Sequence, residues 1–254
     1  MMNIHFKYCL IITAIAAVII LPPIICFKLY VSNSASSTST ELPEDKTDQH
    51  ANKNNPGIDF TILIDPGHGG FDPGKVSPDG IQEKQINLEI ALKLRDKLLE
   101  HGFAVFLTRD TDCSLDSQDA KNKKISDLRN RTSKASEVKA DLYISIHQNS
   151  YSAEYVHGAQ VFYYSTSDSG KLLAESIQNT LIADVDTDNT RLAKGSSDYL
   201  VLTDSPCTAV IVECGFLSNN QECRKLCTSE YQSQIASAIA KAVASWQKSQ
   251  SSPQ

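Results

Sequence analysis

The stretch Thr61-Ile-Leu-Ile-Asp-Pro-Gly-His-Gly-Gly70 constrains this chain more than any other. Four residues with strand bias, Thr61 to Ile64, run into a Pro and three Gly, so the strand stops at a tight loop. That loop carries one imidazole, His68, with little side-chain bulk around it. Open α/β sheets place their sites beyond the carboxyl ends of strands. A lone His is equally well an ordinary residue of a Gly-rich turn. His68 gains meaning only if other ligand-type residues reach similar strand ends.

The rest of the chain supplies them. Ile86, Leu88, Ile90, Ala91, Leu94, Leu98 and Leu99 recur at three-and-four spacing, which predicts an amphipathic helix ending at His101-Gly102. Glu83 lies just before or within its first turn, where an acidic residue complements the helix dipole. Strands are expected over 103–108, 141–147, 158–164 and 208–214, with a short extended piece at 199–202. Helices are expected over 125–138, 169–183, from about 220, and over 230–247. The strand 141–147 ends on His147, and the strand 208–214 carries Glu213 at its end. A carboxylate at that position is costly to bury unless it is paired or used. Strands alternating with helices predict a single α/β domain: a largely parallel twisted sheet, helices on both faces and right-handed crossovers.

The domain is expected to occupy 58–248. Residues 1–30 hold a nearly unbroken apolar run from Tyr8 to Phe27 between Lys7 and Lys28, about the 20 residues needed to cross a bilayer. It is a signal anchor or a signal peptide. It is long for a signal peptide and no small-x-small site follows closely, which favours the uncleaved anchor. Both readings place the domain outside the cytoplasmic membrane. Residues 31–57, rich in Ser, Thr and acidic side chains, read as a disordered linker, and 249–254 as a disordered tail. The net charge of -6 over 254 residues argues against nucleic acid as a partner. There are seven cysteines but no CxxC, so a thiolate zinc site of the usual spacing is absent. Cys223 and Cys227 are four apart on an expected helix and can pair or stay free. Asp184 to Asn189 lacks the spacing, Gly and terminal Glu of a calcium loop.

Parallel strands share a C-terminal edge, and helix N-termini lie at that same edge. His68, Glu83, His147 and Glu213 can therefore meet. Two imidazoles and one carboxylate form a catalytic zinc set with an open fourth position, leaving the other carboxylate as a general base. Chemistry alone does not say which Glu does which. No HExxH helix is present. A rival nucleophile, Cys214, follows Glu213 and so points to the opposite face of its strand, as a core residue would.

Four segments, Ile64-Asp-Pro-Gly-His-Gly-Gly70, Glu83-Lys84, Ser145-Ile-His-Gln-Asn-Ser150 and Val212-Glu-Cys-Gly-Phe-Leu-Ser-Asn219, resemble the signatures of the zinc-dependent N-acetylmuramoyl-L-alanine amidases of bacterial peptidoglycan. The resemblance runs from Ile58 to about Trp246. It implies one Zn2+ held by His68, Glu83 and His147, with Glu213 as catalytic acid/base. It further implies that Asp65 orients the His68 loop from behind and that Asn149 meets substrate. Gln148 and Gln85 stand where the family usually has a small residue and an Asp. Within the family, Gly158–Tyr164, Asn189–Lys194 and Ser197–Leu202 look most like the germination-specific amidases of spore formers. That implies hydrolysis of the amide between the lactyl carboxyl of N-acetylmuramic acid and L-alanine, in the making of cortex muramic-δ-lactam. The partners implied are peptidoglycan, a peptidoglycan deacetylase and an activating protein. Two other readings of the same residues are a catalytically silent wall-binding module and a stem-peptide metallopeptidase.

Overall fold

The computed structural model describes residues 59–251. The expected membrane segment 1–30, the linker 31–57 and residues 252–254 of the expected tail lie outside the described residues. The first half of the domain holds β1 (Thr61–Pro66), α1 (Glu83–Glu100), β2 (Ala104–Leu107), α2 (Lys123–Glu137) and β3 (Leu142–Asn149). The second half holds β4 (Gln160–Tyr164), α3 (Asp168–Asp184), β5 (Lys194–Ser196), α4 (Leu200–Thr203), β6 (Thr208–Phe216), α5 (Asn220–Leu226) and α6 (Ser229–Ser251). The strands form one six-stranded sheet in the order β2-β1-β3-β6-β4-β5. The pairs β1–β2, β1–β3, β3–β6 and β4–β5 are parallel. The pair β4–β6 is antiparallel. A parallel partner reached directly from β3 would need a crossover helix, and residues 150–159 hold none, so β4 enters in the opposite direction.

Alternation along each strand sorts side chains between two cores. Ile62, Ile64, Ile144, Ile146, Val210 and Val212 are fully buried against α1, α3 and α6, which contribute Ile90, Leu94, Ile177, Ile239 and Val243. Leu63, Tyr143 and Ile211 face the other way, against Ala135 of α2 and Val201 and Leu202 of α4. Helices therefore cover both faces, as expected. Cys214 falls in the first core, on the opposite side of β6 from Glu213.

Three local expectations change. Residues 200–203 form a helical turn instead of the expected extended piece, because a short apolar run does not distinguish helix from strand. β5 has only three residues and no apolar alternation to announce it. α6 runs to Ser251, so 249–251 continue the helix instead of starting the tail; no breaker occurs before Pro253. Cys223 and Cys227 are both free thiols. Among the described residues no helix is long and apolar enough to cross a membrane.

Candidate metal centre

Register and pleat bring the strand-end residues together. Asp65 is level with Ser145 across β1–β3, and His147 is level with Glu213 across β3–β6. His68 comes from the loop after β1, and Glu83 is the first residue of α1. The four residues named from the sequence thus converge at one edge.

Three of them supply a donor set. One ligand-type atom each from His68, Glu83 and His147 lies within 4.8 Å of the others. His68 Nε2 is 3.1 Å from Glu83 Oε2, and His147 Nδ1 is 3.0 Å from Glu83 Oε1. The two imidazole centroids are 4.9 Å apart. Donors about 2.0 Å from a tetrahedral zinc stand roughly 3.3 Å from one another, so the set fits such an ion. Glu83 is buried and anchored on both oxygens. Oε1 accepts from the Gln148 amide and Asn87 Nδ2, and Oε2 from the Lys75 amide at 2.7 Å. Burial alone would raise its pKa, but bonds from His147 and His68 outweigh it and hold the carboxyl well below the usual range. His68 Nδ1 is bonded to Asp72 Oδ2 at 2.9 Å, which leaves Nε2 turned toward Glu83. Asp72 was not singled out in the sequence; its four-residue offset from His68 was the available signal.

Glycine is required at two places around this set. A Cβ on Gly67 would fall on the His147 ring. Gly74, at φ +69°, would place a Cβ 2.5 Å from Glu83 Oε2 and 2.7 Å from His68 Cδ2. His68 itself has φ 61°, a left-handed conformation uncommon outside glycine.

Glu213 stands apart from the donors. It is 9% exposed, and its Oε2 is buried with no hydrogen-bond partner. Native structures seldom leave a buried carboxylate oxygen unsatisfied unless it has a use. Burial pushes its pKa up to about 7, with His147 opposing the rise and Glu83 adding to it. A cleft of about 230 Å³ opens over His68, His147 and Glu213, walled by Leu128 of α2 and by Tyr199 and Leu200. Tyr199 was not foreseen as a wall residue. Its phenol pKa is raised by burial and by the charge of Glu213, so the two groups sense each other.

The remaining expected residues sit differently. Asp65 does not touch the His68 ring. Its Oδ1 accepts from Thr108 Oγ1 at 2.6 Å and Arg131 Nη1 at 2.7 Å, and Oδ2 from Ser145 Oγ at 2.8 Å. It reaches the loop through Arg131, whose Nη2 donates to the His68 carbonyl. Asn149, at the end of β3, accepts the Ser150 amide on its own Oδ1. Gln148 turns away from the donors, and its Nε2 donates to Asn87 Oδ1.

Fold and site together define an α/β domain with a candidate metal centre at the carboxyl edge of its parallel strands. Residues 62–245 match the N-acetylmuramoyl-L-alanine amidase family, and the chain belongs to that family. It is an amide hydrolase of the bacterial cell wall. The germination-specific N-acetylmuramoyl-L-alanine amidase of Bacillus subtilis is 36% identical over 185 residues, 72% of this chain and 77% of that protein. The CwlD amidase of Clostridioides difficile, solved in complex with the GerS lipoprotein, superposes with a TM-score of 0.72 at 38% identity, covering 75% of this chain and 99% of that one. An N-acetylmuramoyl-L-alanine amidase of Clostridium difficile 630 superposes with a TM-score of 0.67 at 31% identity, covering 75% and 97%.

Proposed function

We propose that the chain is a zinc hydrolase that cleaves the amide between the lactyl carboxyl of N-acetylmuramic acid and L-alanine of the stem peptide. His68, Glu83 and His147 hold the ion, and Glu213 is the acid/base. The observation that carries this reading is the donor set, within 4.8 Å, beside the unpartnered Oε2 of Glu213. A bound zinc ion supplies Lewis acidity toward the scissile carbonyl and toward water.

The chain's own groups do the rest. Glu213 takes the proton of the attacking water on its free oxygen and delivers it to the leaving alanine nitrogen. A carboxyl pushed up to about 7 by burial is suited to both halves of that transfer near neutral pH. Asp72 keeps the His68 ring turned, and Asp65 steadies the loop through Arg131. Asn149 meets the substrate at the end of β3. Leu128 and Tyr199 wall the cleft through which substrate reaches His68, His147 and Glu213.

The likeness to a germination-specific amidase supports a role in germination; the setting proposed for it is spore cortex maturation, with a peptidoglycan deacetylase acting on the product. The lipoprotein bound to the clostridial relative supports a protein partner that activates this chain. The apolar segment within 1–30 supports the reading that the catalytic domain, 58–248, works outside the cytoplasmic membrane, in the wall or between the forespore membranes, with 31–57 proposed as its linker.

Muropeptide digestion with added zinc or with chelator tests the reading. Intact stem peptides are released only with metal; a shortened peptide with the lactyl amide intact identifies a metallopeptidase instead, and no product a silent module. Glu213→Gln lowers turnover about 10²–10⁴-fold while zinc stays bound, whereas His68→Ala and His147→Ala lose zinc. Full turnover in Glu213→Gln refutes its assignment.

A further inference from the structure

We propose that Arg109 is a positioning residue that sets the separation of the His68 and Glu83 donors by clamping their two carriers to one guanidinium. The inference rests on the metal reading above and concerns how the site is kept formed. Arg109 is 3% exposed, and all five of its hydrogen bonds go to backbone carbonyl oxygens. A buried cation is costly unless fully bonded, and here no carboxylate does the bonding. The acceptors are informative. Nε donates to Pro66 O at 2.9 Å and His68 O at 2.7 Å, and Nη2 donates to Gly67 O at 3.0 Å and Lys84 O at 2.9 Å. Pro66 ends β1 and leads into Gly67 and His68, the loop that carries one donor, and Lys84 is the residue after the other. One rigid fork therefore joins the loop after β1 to the first turn of α1.

The loop needs such a hold. His68 sits at φ 61°, and its carbonyl accepts from both Arg109 Nε and Arg131 Nη2, the latter at 2.6 Å. Pro66 O is likewise doubly bonded, by Arg109 Nε and Arg131 Nη1. Both lone pairs of these carbonyls are thus engaged by guanidinium. Arg131 is neutralised by Asp65 and Asp127 and grips only the loop, so of the two guanidiniums only Arg109 reaches α1, where it adds to the bonds from Asn87 Nδ2 to Gly67 O at 3.1 Å and from Lys84 Nζ to Gly70 O at 2.8 Å. A lysine supplies a point charge on a flexible stem and cannot span the same acceptors.

The test is the zinc dissociation constant of the full protein, read by competition with a chromophoric chelator. Arg109→Lys weakens zinc about 10–100-fold, the usual effect of losing a group that orients ligands. Leu173→Ala, in the buried core on α3, lowers the melting temperature without weakening zinc. Wild-type affinity in Arg109→Lys, or equal weakening in both variants, overturns the proposal. If Arg109→Lys does not fold, hydrogen exchange of the wild type decides. The Gly69 and Gly70 amides, bonded to Asp72 O and Asp112 Oδ1, are already protected without metal if the clamp preforms the loop. A large gain of protection on adding zinc overturns it. A wild type that takes up no zinc refutes the metal reading instead, and the exchange of the metal-free loop still reports on the clamp.

Discussion

At the scale of single residues, chemistry and stability pull in opposite directions at Glu213. Its folded pKa, about 7, lies above the ordinary 4.5 because burial disfavours the anion. A carboxyl raised in the fold contributes stability fully present below its unfolded pKa and lost as pH rises through the folded one. Metal-free Glu213→Gln is therefore more stable than the parent at pH 8, by on the order of 3 kcal/mol, and nearly equal to it at pH 4. Thermal melts at the two pH values check this; a difference independent of pH would contradict it. Gly67 carries the opposite kind of constraint. An added Cβ overlaps the His147 ring, so Gly67→Ala displaces that imidazole, costs about 1–3 kcal/mol from overpacking and weakens zinc at least tenfold. Calorimetric titration with zinc measures the second effect directly.

At the scale of elements, short helices fix what the strands deliver. α5 starts just beyond β6, and its Asn219 cap accepts the Gln221 and Glu222 amides at 3.0 and 2.9 Å while donating to Glu154 O. Behind the cap, buried Glu222 accepts the Gly158 and Phe216 amides. This ties the approach to β4 to the end of the strand that bears Glu213. Losing a cap of this type costs about 1–2 kcal/mol. Asn219→Ala should lower the melting temperature by roughly 3–6 °C with turnover of muropeptide at saturating substrate unchanged. A lost turnover at unchanged melting temperature would mean that the cap governs the site and not the fold. The first turn of α1 plays the comparable part for Glu83, whose carboxylate accepts amides from Lys75 and Gln148 outside its own helix.

At the scale of the whole molecule, the two cores and the site are complete within the described residues. Both faces of the sheet are covered, and every donor comes from residues 68–147. A protein spanning 58–251 is expected to fold, bind one zinc and release stem peptides at the rate of the full-length chain on soluble muropeptides. Under the proposed membrane anchoring, the full-length chain in membranes is expected to differ from it on intact sacculi. Comparing the two proteins on the two substrates checks that expectation; a truncated protein inactive on soluble muropeptides contradicts it.

The sequence by itself determined the alternation of strands and helices and the four candidate site residues His68, Glu83, His147 and Glu213, while the choice of Glu83 as donor and Glu213 as acid/base came from the family resemblance. Those features are local: apolar period marks each element, and Gly, His and Glu mark its end. Tertiary structure decided what depends on distance. The reversed direction of β4 follows from a helix-free connection, and the helical turn at 200–203 from packing on the second core. Only the folded chain shows that Glu213 Oε2 lacks a partner. Arg109 and Arg131 read as the polar exit of a strand and a helix residue. They became the grip on the His68 loop because the carbonyls they bond there lie 41 to 65 residues away in sequence. A guanidinium reaches carbonyls through space, and a one-dimensional pattern carries no record of that reach.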